Sequence, residues 1–189
     1  MTIAAEYLSL DLRTHDLLRD VRLYDVSAVD LPGGGAGRSV ADVRALESAA
    51  APSRVARAIY GLRHFLGRVW GWDRVPMRPE DSLLSQLSER DRRDSEIVPG
   101  APAGSFLVLY QFPGEALTET RNATVHGFVC TALTPTASGY RLYCGIYVIP
   151  VSWLTRPYLV VIEPFRRILY PAMARRIRRA WLAAYGAAA

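Results

Sequence analysis

The fold is decided by the stretch Thr124–Ile149, which reads TVHGFVCTALTPTASGYRLYCGIYVI. It contains two runs of strand-forming residues, Thr124–Leu133 and Tyr140–Ile149, separated by a turn-forming segment at Pro135–Gly139. β-branched and aromatic residues favour strands, and a cluster of Pro, Ser and Gly between two such runs favours a turn. The stretch therefore predicts an antiparallel hairpin.

Successive side chains of a strand point to opposite faces of the sheet, so the predicted hairpin has two distinct faces. Folding it about the turn places Cys130 near Cys144. The face expected to be the core side carries His126, Phe128, Cys130, Ala132, Leu142, Cys144, Ile146 and Val148. The other face carries Thr131, Arg141, Tyr143 and Tyr147. A slip of one residue in the pairing would reverse this assignment.

Helical periodicity is clearest in two segments. Ser53 can cap a helix whose apolar residues recur at three- and four-residue steps, namely Val55, Ile59, Leu62, Leu66 and Val69. A C-terminal helix is predicted from Pro164, because proline suits the first helical turn. Its apolar residues are spaced by four and are Leu169, Met173, Ile177 and Trp181. Pro171 is expected to kink or restart this helix.

Further strands are predicted at Val21–Leu31, Ser105–Phe112 and Ala116–Arg121. The order along the chain is then strand, helices, antiparallel strands and a long C-terminal helix. This order predicts an α+β fold in which a curved antiparallel sheet packs against the C-terminal helix. We expect residues 1–20 to be an N-terminal lead-in, 21–185 to form a single α+β domain, and 186–189 to be a short tail.

The composition is that of a globular protein, since 50% of the residues are hydrophobic and 22% are charged. No run of about 18 uncharged apolar residues exists, so no transmembrane segment is expected. Glu6, Asp11 and Arg13 interrupt the N-terminal sequence before it reaches the length of a signal peptide. Cys130 and Cys144 are more consistent with free, buried thiols than with the disulfide bonds of a secreted protein. The sequence therefore predicts a cytoplasmic protein.

Positive charge is concentrated at the C-terminus. From Trp153 onward the chain carries seven arginines and one acidic residue, Glu163, whereas the rest carries 16 arginines and 17 acidic residues. The whole formal net charge of +5 therefore resides in the C-terminal segment. All 23 basic residues are arginine, which is typical of a GC-rich coding sequence and lowers the functional weight of each one.

The C-terminal half resembles a bacterial family known as a domain of unknown function, DUF2867. The resemblance is carried by Arg121–His126 and Gly139–Leu142 in the predicted strands. Its most distinctive part is the run Tyr158–Met173, which precedes an arginine-rich tail and Trp181. Upstream, Ala58–Arg63 is similar to the family's helix leading into a Leu-Arg pair.

This resemblance, over roughly Val21–Trp181, implies the helix-grip architecture of START-like and Bet v 1-like (SRPBCC) proteins. In that architecture a curved sheet wraps a long C-terminal helix around an apolar cavity. Many family members carry a Phe-His pair after the proline, whereas Arg166 stands in the His place here. A proton-transfer role is therefore not expected at this position. Fold alone does not imply function.

The leading functional hypothesis is a module that binds a small lipophilic ligand in such a cavity. Its expected lining is His126, Phe128, Cys130, Leu142, Cys144, Ile146, Phe165, Leu169 and Met173. His126 is the strongest single candidate, because an imidazole in an apolar cavity can orient a polar ligand group or act as a general base. The alternative is a core histidine hydrogen-bonded to the backbone. A cyclase, dehydratase or isomerase using His126, Tyr143 or Tyr147 is the second hypothesis.

No cofactor and no metal is predicted. The run Gly33–Ser39 lacks the glycine spacing and the lysine of a phosphate loop, so we expect a flexible break there. His126 and Cys130 share a predicted face, but four residues of strand separate them by about 14 Å, too far for one metal ion. Both cysteines are expected to be inert, because burial raises the pKa of a thiol.

The third hypothesis is an interaction protein that docks through its basic C-terminal helix. Arg175, Arg178 and Arg179 form the candidate polyanion-binding cluster, suited to a peripheral contact with an anionic surface. Nucleic acid is not expected as a partner, because no aromatic platforms are interleaved with these arginines. The alternative is a solvated helix face, and the oligomeric state is left open.

Overall fold

The computed structural model describes residues 1–49, 61 and 81–186 of the chain. The strands are β1 (Leu23–Pro32), β2 (Pro102–Ala103), β3 (Phe106–Gln111), β4 (Glu115–Arg121), β5 (Val125–Thr136) and β6 (Gly139–Pro150). The helices are α1 (Ile3–Leu8), α2 (Arg13–Leu17), α3 (Val40–Ala49), α4 (Glu89–Asp94) and a C-terminal helix (Thr155–Tyr185), with a 3₁₀ turn at Leu83–Gln86. The helix predicted to begin at Ser53 lies outside the described residues.

The six strands form one antiparallel sheet in the order β1-β6-β5-β4-β3-β2. Strands β2 to β6 follow one another as a meander, and β1 pairs with the free edge of β6. The sheet is curved and unclosed, and the C-terminal helix lies against it in a helix-grip-like arrangement. The predicted α+β class and the predicted partnership of sheet and helix are confirmed.

The hairpin of β5 and β6 is confirmed, but its predicted register was wrong by one residue. Cys144 lies opposite Thr131, and Cys130 lies opposite Gly145. The turn is tighter than expected, because Thr136 already pairs with Gly139 and only two residues link the strands. In an antiparallel pair, directly opposed residues point to the same face, so β6 presents its other side to the predicted core.

The sheet therefore has two covered faces. We call one the N-terminal face; on β5 and β6 it carries His126, Phe128, Cys130, Ala132, Tyr143 and Tyr147. We call the other the C-terminal face; on these strands it carries Val125, Val129, Thr131, Leu133, Leu142, Cys144, Ile146 and Val148. Apolar residues occur on both faces because helices cover both of them.

The N-terminal face is covered by the first twenty residues. Tyr7 and Leu18 join its hydrophobic core at 0% and 2% exposure. Tyr7 lies so close to β6 that a Cβ added at Gly145 would come within 2.5 Å of its hydroxyl oxygen. The segment expected to be a lead-in thus packs into the core as two short helices.

The C-terminal face is covered by α3 and the C-terminal helix. That helix begins at Thr155, nine residues before the predicted start at Pro164. The Thr155 hydroxyl accepts hydrogen bonds from the backbone N–H groups of Val151 and Ser152, which fixes the entry into the helix. Pro164 and Pro171 both lie within the helix on its exposed side, where water can satisfy the carbonyl that each proline leaves unpaired.

Candidate functional site

The sheet separates the predicted cavity residues. Those on the N-terminal face are His126, Phe128 and Cys130; those on the C-terminal face are Leu142, Cys144 and Ile146. Leu169, Met173 and Phe165 belong to the C-terminal helix, and the side chain of Phe165 is outside the part of the structure that is described. A single cavity cannot take all nine, because the sheet stands between the two sets on its strands.

His126 is the best-anchored side chain of the predicted set. Its Nε2 shares a hydrogen bond of 3.0 Å with Oε2 of Glu119, and the two side chains are 5% and 0% exposed. Glu119 also accepts hydrogen bonds from the Ser82 hydroxyl and, at 3.2 Å, from the backbone N–H of Leu83. The imidazole therefore pairs with a buried carboxylate. This differs from the leading sequence hypothesis, in which it projects alone into an apolar cavity.

A second buried carboxylate, Glu115, lies at the start of β4, four residues before Glu119. It accepts hydrogen bonds from the backbone N–H of Arg13 at 2.6 Å, the Thr14 hydroxyl at 3.1 Å and the Tyr110 hydroxyl at 3.1 Å. Burial raises the pKa of Glu115, although these donors lower it in part. The Tyr110 pKa is also raised, by burial and by the nearby Glu115.

Hydroxyl and thiol groups extend this polar network under α1 and α2. Thr14 Oγ1 lies 3.2 Å from Cys130 Sγ, and the hydroxyls of Tyr7 and Tyr147 lie 3.2 Å apart. His15 Nδ1 lies 3.3 Å from the Tyr147 hydroxyl. Burial raises the pKa of Cys130 to about 12 and that of Tyr147 to about 12. At neutral pH the thiol and the phenol stay protonated, so they act as hydrogen-bonding groups.

The geometry of this network does not match nucleophilic catalysis. In a hydrolase triad the imidazole stands between the hydroxyl and the carboxylate, so that it can take the hydroxyl proton. Here Glu119 stands between Ser82 and His126, and the imidazole cannot activate the serine. Thr14 and Glu119 are both 0% exposed, so a reactant does not reach these groups in this conformation. The arrangement supports the structure of the N-terminal face.

Sequence reasoning missed Glu115 and Glu119. Both are carboxylates inside a strand whose neighbours Ala116 and Leu117 are apolar, and they lie four residues apart on the same face. Acidic residues at same-face positions of a strand with apolar neighbours are a signal for buried, partnered carboxylates, because unpaired ones would be too costly.

The C-terminal helix makes its buried apolar contacts with the sheet near its two ends. At one end, Trp181 packs with Leu142 and Leu133; at the other, Tyr158 packs with Val125 and the adjacent Val148. Between these clusters lie Cys144 and Ile146 on the sheet and Leu169 and Met173 on the helix. Within the described residues none of these four belongs to either cluster. Cys144, Ile146 and Leu169 are partly buried, and Met173 is 37% exposed. We call the region between the two clusters the central cleft.

Charged groups flank the central cleft. A pocket of about 210 Å³ opens beside α3 and is lined by Glu47, Met173, Arg176 and Ile177. Arg176 donates a hydrogen bond of 2.8 Å to the backbone carbonyl of Glu47. Burial raises the pKa of the Glu47 carboxyl, although Arg44 and Arg176 lower it in part.

The β1 side of the cleft is closed by an ion pair between Arg166 and Asp25. Burial first, and then the carboxylates of Glu47 and Asp25, raise the pKa of Cys144 to about 12. The Cys144 thiol therefore keeps its proton at neutral pH.

The glycine-rich segment lines a larger open pocket of about 620 Å³ at the turn end of the hairpin. It is pinned to the body of the protein, in contrast to the flexible break that was expected. Gly33 N–H donates to Ser138 O at 2.8 Å, and the Tyr140 hydroxyl donates to Gly35 O at 2.9 Å. Arg38 is occupied by Gly34 O and Asp42, so it is not available to a phosphate.

A comparison with known protein families shows which family the chain belongs to. Residues 17–173 match the profile of the family described as "Protein of unknown function (DUF2867)". The chain belongs to this family. No curated protein and no solved structure matches it. The resemblance seen in the C-terminal sequence is therefore confirmed, while kinship of this DUF2867 chain to START-like proteins stays a prediction.

The predicted polyanion cluster of the DUF2867 chain lies on the outer side of the C-terminal helix. Arg175, Arg178 and Arg179 are all exposed. The part of the chain that the structure describes gives none of the three an ion-pair or hydrogen-bond partner. No helix among the described residues is long and apolar enough to cross a membrane. Nor do the described residues bring three His, Cys, Asp or Glu side chains together as a metal site would require.

Proposed function

We propose that this DUF2867 protein binds a small lipophilic ligand in the central cleft, between the C-terminal face of the sheet and the C-terminal helix. One observation carries the proposal. The helix packs on the sheet near Tyr158 and near Trp181, but the residues between these two contacts are incompletely buried.

The length of helix between the two contacts supports the proposal. From Ile162 to Ile177 it extends about 22 Å, at about 1.5 Å per residue. Opposite it, Ile146 and Cys144 are only partly buried, whereas Phe128 and Cys130 on the N-terminal face are 0% exposed. Apolar surface left in contact with water is unfavourable by roughly 25 cal/mol for each Å² that a ligand could cover. An apolar ligand in the cleft gains this free energy.

The polar groups at the rim suit the orientation of one end of such a ligand. Ligand sites are mostly apolar with a few well-placed polar groups. Arg176 and Glu47 lie at one opening, and the Arg166–Asp25 ion pair lies at the other side. The proposed ligand is therefore an apolar body with at most one polar end. His126 has no part in it, because its imidazole lies on the opposite face.

Binding of the uncharged fluorophore N-phenyl-1-naphthylamine tests this proposal. The wild-type protein is expected to bind it with increased, blue-shifted emission. Ile146→Trp, which fills the cleft floor, should weaken binding at least tenfold, because a bulky side chain excludes the probe from an already limited space.

The control is Val98→Trp, which adds the same indole at a residue that is 77% exposed and far along the chain from the cleft. It should leave the probe affinity unchanged. Circular dichroism melting curves establish that both variants fold. Equal affinity of folded Ile146→Trp and wild type, or the lack of probe binding by the wild type, would refute the proposal.

A further inference from the structure

The outer side of the C-terminal helix presents one continuous exposed stripe. Its members recur at three- and four-residue steps, which places them on one side of an α-helix. They are Arg156, Pro157, Val160, Pro164, Arg167, Ile168, Pro171, Arg175, Arg178, Arg179 and Leu182, and all are exposed. The stripe extends for about 39 Å, at about 1.5 Å per residue.

The N-terminal half of the stripe contains exposed apolar residues beside Arg156 and Arg167. Val160 is 73% exposed and Ile168 is 55% exposed. Trp153, just before the helix, is 82% exposed, and Val151 beside it is 36% exposed. Single exposed apolar residues are ordinary, but apolar residues aligned on one side of a helix, with an exposed tryptophan just before it, are typical of an interaction surface.

The charge of the stripe is entirely positive. Glu163 is the one acidic residue of the helix, and it is held by Arg166 and Arg167, with contacts of 2.5 Å and 3.0 Å. Arg156 and Arg175 are exposed, and neither has a partner among the described residues. The complementary partner therefore carries a dense negative charge.

We propose that this stripe docks on the surface of an anionic phospholipid bilayer. Arginines attract the headgroups while their apolar stems and the Val and Ile side chains enter the boundary with the acyl chains. Tryptophan is favoured at the same depth. A nucleic acid backbone would meet the same arginines but gains nothing from Val160 and Ile168. The inference does not depend on ligand binding in the central cleft, because the stripe lies on the other side of the helix.

Co-sedimentation of the full chain with vesicles tests this surface. We expect binding to phosphatidylcholine vesicles that contain a third of phosphatidylglycerol, weak binding to pure phosphatidylcholine, and loss of binding at high salt. Arg175→Gln combined with Arg178→Gln should lower partitioning on the order of tenfold, because each basic residue near an anionic surface contributes substantially to binding.

The matched control removes the same charge elsewhere. Arg90→Gln combined with Arg93→Gln changes two arginines of α4 whose side chains are 83% and 73% exposed. This control should bind vesicles within about twofold of the wild type, because α4 lies outside the stripe. Trp153→Ala should remove a blue shift of tryptophan emission that the wild type shows on adding anionic vesicles.

Three results would overturn the inference. They are no binding to anionic vesicles at low salt, equal losses in the two arginine pairs, and binding to duplex DNA by a protein that ignores anionic vesicles. Melting curves of each variant exclude misfolding as the cause of a loss.

Discussion

Two buried carboxylates organise the N-terminal face at the scale of single residues. Glu119 holds His126, Ser82 and the start of the 3₁₀ turn, while Glu115 holds the first residues of α2. A buried carboxylate is tolerated only where donors surround it, because its desolvation is costly. Ser82, Leu83 and Arg13 are distant from these carboxylates in sequence, so each carboxylate ties the N-terminal half of the chain to the sheet.

Glu119→Ala is expected to lower the free energy of unfolding by about 3 kcal/mol, because it leaves several buried donors without an acceptor. Asp20→Ala is the control, since Asp20 is an exposed carboxylate with no hydrogen bond in the described structure. It should change stability by less than about 0.5 kcal/mol. Urea denaturation measures both, and similar values for the two variants would contradict the role given to Glu119.

Glu115→Gln tests the raised pKa of Glu115. The folded chain holds this proton more tightly than the unfolded chain. The contribution of Glu115 to stability is therefore lost as the pH rises from about 4.5, the ordinary pKa of a glutamate, through the higher pKa of the folded state. A glutamine does not titrate. The variant should therefore gain stability relative to the wild type between acidic and neutral pH, as measured by urea denaturation across that range. A difference that is constant or falls with pH would refute the raised pKa.

These residue roles could be predicted from the sequence only in part. His126 was singled out as the most informative histidine, and its burial agrees with the alternative of a core histidine. Its partner Glu119 and the hydroxyl of Ser82 come from elsewhere in the chain, and only the folded sheet brings them together. Apolar neighbours in a strand indicate that a carboxylate is buried, but they do not identify the group that it pairs with.

At the scale of elements, the glycine-rich segment and the C-terminal helix fit each other. Trp181 is 0% exposed, and its indole N–H donates to Pro32 O at 3.2 Å. Gly34 lies against the indole ring, where an added Cβ would come within 2.6 Å of it. The glycines thus leave room for the end of the C-terminal helix. This packing role explains their presence without a phosphate-binding loop.

Gly34→Ala should destabilise the protein by about 1 to 3 kcal/mol more than Gly35→Ala. Both glycines have positive φ, 98° and 67°, so both variants carry backbone strain. They differ in packing, because an added Cβ at Gly35 meets nothing within 4 Å. Thermal melting of the two variants gives the comparison. Equal melting temperatures would show that Trp181 does not require Gly34.

The hairpin shows why elements were easier to predict than their register. The runs on either side of Pro135 and Gly139 were strong enough to place β5 and β6. Since helices cover both faces of the sheet, both sides of each strand are apolar, and alternation could not choose between two registers. The C-terminal helix was likewise placed, but its first nine residues were missed because Pro164 looked like a start.

At the scale of the whole molecule, the two faces of the sheet differ in how they are filled. The N-terminal face is covered by α1 and α2, and a buried network of hydrogen bonds joins them to the sheet. The C-terminal face is gripped by a long helix near Tyr158 and Trp181, with the central cleft between them. The buried polar network thus lies on one face and the proposed ligand site on the other.

The most direct test of this division is an NMR measurement of where a lipophilic molecule binds. Intermolecular NOEs from N-phenyl-1-naphthylamine to methyl groups would be recorded on the full-length protein. We predict NOEs to Ile146 and Met173, which border the central cleft. NOEs to Leu109 or Leu117 under α1 and α2, or no NOE to either cleft methyl while the probe is bound, would contradict the account.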